Sequence, residues 1–74
     1  MSVELVGIRK VAVISWSDEI KGANASLQVG DEEKRTVKND QESNLFFPPD
    51  FAGYVTVTVK GSSSGEETGT INVV

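Results

Sequence analysis

Residues 48–59 read PPDFAGYVTVTV. Two consecutive prolines can neither continue a helix nor donate to a β-ladder, so any regular element arriving from the N-terminal side ends there. Beyond them Val55, Thr56, Val57, Thr58 and Val59 alternate strictly between apolar and hydroxyl side chains. A period of two marks a strand with one buried face and one wet face. A chain carrying both signals is built from strands with sharp breaks between them.

The rest of the sequence repeats the theme. Residues 2–8 (SVELVGI), 10–16 (KVAVISW) and 25–29 (ASLQV) are rich in β-branched and apolar residues, and the third run ends at the turn pair Gly30–Asp31. Residues 34–38 (KRTVK) read as a short polar edge strand, 39–43 as a loop, and 44–47 (NLFF) as a strand stopped by Pro48–Pro49. Residues 54–60 and 67–74 form the last two strands, joined by a Gly/Ser hairpin, GSSSG. The helix formers at 31–35 (DEEKR) lack apolar partners at three- and four-residue spacing, so no helix is expected. About seven short strands with turns between them predict one all-β domain over residues 1–74, an antiparallel β-sandwich.

A 74-residue chain buries only about 60% of its unfolded surface, so it gains little stability from size. It has no Cys and no His, which removes disulfides, the commonest zinc ligand and the commonest general base. The formal net charge is −4. Basic residues are scattered apart from Arg9–Lys10 and Lys34–Arg35, which argues against a nucleic-acid partner. No apolar run approaches the roughly 18 residues of a membrane span. The start, MSVELVGIRKVAV, lacks the layout of a signal peptide, so the expectation is a cytoplasmic product or a piece of something longer.

The stretch Asp50-Phe51-Ala52-Gly53-Tyr54-Val55-Thr56 resembles the tyrosine corner of immunoglobulin-like domains. Asp50, Ala52 and Tyr54 match its acid, small residue and Tyr, and Thr56 stands where that family carries a Cys. Ile71 and Val73 sit where the family's last strand has two apolar residues. Trp16 lies at a distance compatible with the core Trp of the third strand. The resemblance is specific over residues 44–74 and loose over residues 1–43. It implies an immunoglobulin-like sandwich without the disulfide, since neither Thr56 nor the region near Gly7 offers a Cys. It further implies a corner built by Asp50, Ala52, Gly53 and Tyr54, with the Tyr ring buried. The first strand of the usual sandwich is expected to be missing, leaving an edge open to a partner.

The resemblance and the hydrophobic pattern disagree on parity. The corner would turn Tyr54, Thr56 and Thr58 inward, whereas hydrophobicity turns Val55, Val57 and Val59 inward. A buried Val is worth about 1.5–3 kcal/mol. Three valines therefore outweigh one Tyr and two Thr, provided Gly53 allows the slip.

Chemistry-bearing constellations are sparse. Ser15, Ser17 and Ser62–Ser64 have no His to activate them. Asp18–Glu19 and Asp31–Glu32–Glu33 are acidic pairs and runs without calcium-loop spacing. Asn24-Ala25-Ser26 is a glycosylation sequon, meaningful only in a secreted eukaryotic chain. Trp16 reads as core. Phe46 and Phe47 are adjacent on a strand and must point to opposite faces. The expectation is thus a non-catalytic module with no cofactor and no metal. It is read as a capsid or tail decoration domain of a bacteriophage virion, with a module of a bacterial cell-surface adhesin as the alternative. The expected partner is a protein of a larger assembly or a cell-surface ligand. The candidate interface is Val3, Leu5, Phe46 and Tyr54, on the N-terminal strand and beside the proline pair, with the GSSSG hairpin at the opposite, free end.

Overall fold

The computed structural model describes residues 1–6 and 10–74. Gly7, Ile8 and Arg9 lie outside the described residues, and with them the expected extension of the first strand to residue 8. The described residues form seven strands: β1 (Ser2–Val6), β2 (Val11–Ser15), β3 (Asn24–Val29), β4 (Arg35–Lys38), β5 (Glu42–Phe46), β6 (Gly53–Gly61) and β7 (Glu66–Val73). They make two antiparallel sheets, ordered β1-β2-β5 and β4-β3-β6-β7, packed face to face as a β-sandwich. No helix occurs among the described residues.

The core follows the period-two reading. Ile14 and Ala12 of β2 and Leu45 of β5 face Ala25, Leu27 and Val29 of β3, Val55, Val57 and Val59 of β6, and Ile71 and Val73 of β7. Val57 and Val59 are completely buried, while Tyr54 on the opposite parity is 79% exposed. The parity conflict is therefore resolved for the valines, and Gly53 adopts φ +137°, a backbone state that L side chains rarely reach.

Trp16 is buried, but it follows β2 rather than lying on the third strand. Its place there has a polar reason: the indole Nε1 donates to Asn39 Oδ1 at 2.7 Å, in the link between β4 and β5. Strand β5 starts at Glu42, inside the stretch expected to be a loop.

Strand β1 is present and paired with β2, from Ser2↔Ser15 to Val6↔Val11, so the three-stranded sheet does not begin without an outer strand. It also lies against β7 of the other sheet. A Cβ at Gly69 would sit 3.1 Å from Val3 Cγ2, and the Met1 ammonium is 3.4 Å from Glu67 Oε2. Side chains of β1 and β7 thus meet on that side, although no ladder joins the two strands. With three strands in one sheet and four in the other, the count leaves β4 without a counterpart among the described residues.

Candidate docking surface

The interface expected from sequence divides in two. Val3 and Leu5 are half-buried and pack against the core, because on β1 they share the inward parity with Met1. Their side chains turn inward and leave only part of their surface to solvent. Phe46 and Tyr54 are 77% and 79% exposed, the two largest side chains turned to solvent among the described residues.

The corner assignment is corrected by the same exposure. Asp50 and Ala52 are exposed, Phe51 N–H donates to Pro48 C=O at 3.0 Å, and Tyr54 leaves the turn pointing outward. The ring expected to be buried at the corner is replaced by Phe47 and Phe51, stacked with centroids 5.4 Å apart. Phe47 and Phe51 are both partly buried against the core. The Lys10 ammonium caps the loop by donating to the Phe51 carbonyl. Residue size alone did not show which aromatics would pair. The Pro48–Pro49 turn, which folds Phe51 back over Phe47, decided it.

Phe46 sits on the outer face of the three-stranded sheet, directly across from Val11 on β2, with half-buried Val13 on the same face. Tyr54 sits on the outer face of the four-stranded sheet, across from Asn72. Between these outer faces, at the end of the sandwich, a groove of about 750 Å³ opens. The 29–32 turn, Arg35 at the start of β4, Leu45–Pro48 and the first residues of β6 line it. It exists because β3 ends early. Gly30 N–H donates to Thr56 C=O at 2.7 Å, after which the chain turns away. Backbone alternation then points Tyr54's N–H and C=O toward the place β3 has left.

The groove's charges are Asp31, Glu32 and Arg35. Glu32 and Arg35 approach to 3.7 Å, both well exposed, so their ion pair contributes little. The outer face of the four-stranded sheet carries two cross-strand threonine pairs, Thr56–Thr70 and Thr58–Thr68, with hydroxyl oxygens 3.4 and 3.3 Å apart. Such pairs stabilise a wet sheet face.

The GSSSG hairpin is not a free end. Lys21 N–H donates to Ser64 C=O at 2.8 Å, and Ser63 and Ser62 N–H donate to Lys21 and Asn24 C=O at 2.9 and 3.0 Å. Nearby, Ser17 Oγ bonds the Glu67 carboxylate, and Ser17 N–H donates to it at 3.3 Å. The Ser17 hydroxyl is the main reason that the Glu67 carboxyl titrates below the ordinary glutamate range. The Ser17 amide and the Met1 ammonium act in the same direction, and partial burial opposes them. Among the described residues no three acidic side chains converge to hold a metal ion.

No protein-family model matches the chain, and no curated protein or solved structure is detectably similar to it.

Proposed function

We propose that this protein is a non-catalytic binding module, an immunoglobulin-like domain that docks onto a bacteriophage virion as a capsid or tail decoration domain. The exposure of Phe46 and Tyr54 at one end of the sandwich carries the docking part of this reading. A small domain gains by burying such side chains, and exposed aromatics around a groove are where binding energy concentrates. The strand order supports the immunoglobulin-like part. With β1, β2 and β5 as strands A, B and E, and β3, β6 and β7 as C, F and G, the two sheets have the family's arrangement. The remaining strand, β4, pairs with β3 rather than with β5. The virion part rests on composition: a short, acidic chain without Cys or His.

The test is cosedimentation of the purified protein with phage particles and, separately, with bacterial cell envelopes. The proposal expects particle binding that is weakened at least tenfold by Phe46→Ser or Tyr54→Ser. Binding to envelopes alone would move the module to the cell surface. Binding to neither would remove the docking reading.

A further inference from the structure

The three-on-four mismatch of the sheets leaves a specific vacancy. Because β1 lies against β7, the excess strand of the larger sheet, β4, overhangs the opposite side. Beneath it, among the described residues, no strand pairs with the outer edge of β5. Its hydrogen-bonding direction is fixed at both ends: Phe47 N–H donates to Lys10 C=O, and Trp16 N–H donates to Gln41 C=O, each at 3.0 Å. Residues 41, 43, 45 and 47 therefore address β2. Glu42, Asn44 and Phe46 turn their N–H and C=O groups to the open side. Three donors and three acceptors stand in a row along β5.

Edge strands are normally blunted by Lys, Pro or a bulge. On this side of the sandwich the β4 edge is blunted in that way, by Arg35 and the strongly exposed Lys38. Glu42–Phe46 carries neither Lys nor Pro, and the prolines come only after it. Val37, on the inward face of β4, packs on the core yet stays only partly buried. The groove between Arg35, Leu45 and Phe46 is the lower end of the same space.

We propose that this space is a strand-acceptor site. It takes an extended polypeptide segment of a partner, which pairs with β5 and completes a four-on-four sandwich. The proposal rests on the docking function above and specifies its mode, in which main-chain bonds supply affinity and alternate side chains supply specificity. The segment's inward residues are apolar, because they meet Val37 and the rim of Leu45. Its outward residues are Lys or Arg, because they share the outer face with Glu42, and the side of the sandwich they enter carries Asp31, Glu32, Asp40 and Glu42 against Arg35 and Lys38. A second copy of this chain fits worse. Pairing β5 with its own equivalent brings two overhanging β4 strands into one space, with Lys38 on each.

The experiment uses the intact, isotope-labelled protein and two capped synthetic peptides, one of alternating valine and lysine and one of alternating valine and glutamate. Amide hydrogen exchange and chemical-shift titration are read residue by residue. The expected result is protection of the Glu42, Asn44 and Phe46 amides by the valine–lysine peptide. Asn44→Pro deletes an N–H that no internal ladder uses, so it should keep the fold and weaken that binding at least tenfold. If that variant fails to fold, Glu42→Lys serves instead and should reverse the preference toward the valine–glutamate peptide. Protection confined to β4 or to the threonine face would overturn the site, as would unchanged peptide binding by both variants. Self-association that protects β5 without peptide would replace the partner by a second copy and overturn the occupant. The underlying function fails separately. Peptide capture without particle binding keeps the acceptor site and removes the virion, whereas particle binding indifferent to both variants does the reverse.

Discussion

The Trp16 indole and the Asn39 amide share one hydrogen bond that ties the end of β2 to the link between β4 and β5. Asn39 does more than accept from Trp16 Nε1. Its Nδ2 donates to the carbonyls of Ile20 and Gly22, each at 2.9 Å. One side chain thus satisfies a buried indole N–H and holds the 17–23 loop. Replacing Asn39 by Ala leaves the indole without its acceptor, and a buried unsatisfied group costs about 1–3 kcal/mol. With the loop bonds lost as well, Asn39→Ala is expected to destabilise by about 2–4 kcal/mol in urea unfolding. Asn39→Asp keeps the acceptor but loses both donors, and it should be less destabilised at pH 3 than at pH 7.

The second prediction concerns acid. The Glu67 carboxyl titrates below its ordinary value in the folded state, chiefly through Ser17. A depressed folded value means that its stabilising contribution is complete above the unfolded glutamate range. It is lost as pH falls through the lower, folded value. Wild type should therefore lose stability on acidification below about pH 4.5 more steeply than Glu67→Gln. Melting temperatures of the two proteins between pH 7 and pH 2 check this. Parallel curves would mean that the Ser17–Glu67–Met1 contact contributes nothing.

The third prediction tests the parity of β6. Val57→Ala removes a completely buried side chain and should cost about 2 kcal/mol through lost transfer energy and the cavity left behind. Tyr54→Ala changes an exposed position and should stay within about 0.5 kcal/mol, and Thr56→Ala, which loses only its cross-strand pair with Thr70, should cost less than about 1 kcal/mol. Denaturant midpoints for the three variants decide it. A large loss for Tyr54→Ala would restore the buried corner ring.

These contrasts show where the sequence was legible. The alternation of Val55 to Val59 and the stop at Pro48–Pro49 are local and strong, and each strand lies within a few residues of its expected position. What failed was non-local. Trp16 is core as expected, but the resemblance put it on the third strand, and it instead follows β2, bonded to Asn39, 23 positions away in the chain. Tyr54 carries a motif that normally means burial. Here the burial energy of three valines fixes the register and turns the ring outward. Val3 and Leu5 look like interface residues on an open edge until β7 is placed beside them. The open edge of β5 shows in its own sequence only as the lack of a Lys or Pro. It arises from the difference in strand number between the two sheets.

The last prediction concerns the hairpin once expected to be free. A Cβ at Gly61 would collide with the carbonyls of Lys21 and Ser64 and lie 2.7 Å from the Lys21 nitrogen. All three obstacles are backbone, and two of them hold the Lys21–Ser64 bridge together. Neither segment can move without breaking those bonds, so Gly61→Ala should cost about 1–3 kcal/mol by overpacking. Ser63→Ala, at an exposed site of the same hairpin that bonds through its backbone, should be neutral within about 0.5 kcal/mol. If hydrogen exchange is measured at the same time, Gly61→Ala should release the Lys21 and Ser63 amides before the β6–β7 ladder loosens. That order follows because the clash lies at the Lys21–Ser64 bridge, outside the β6–β7 ladder. Simultaneous release of all these amides would mean that the hairpin and the sheet unfold as one unit.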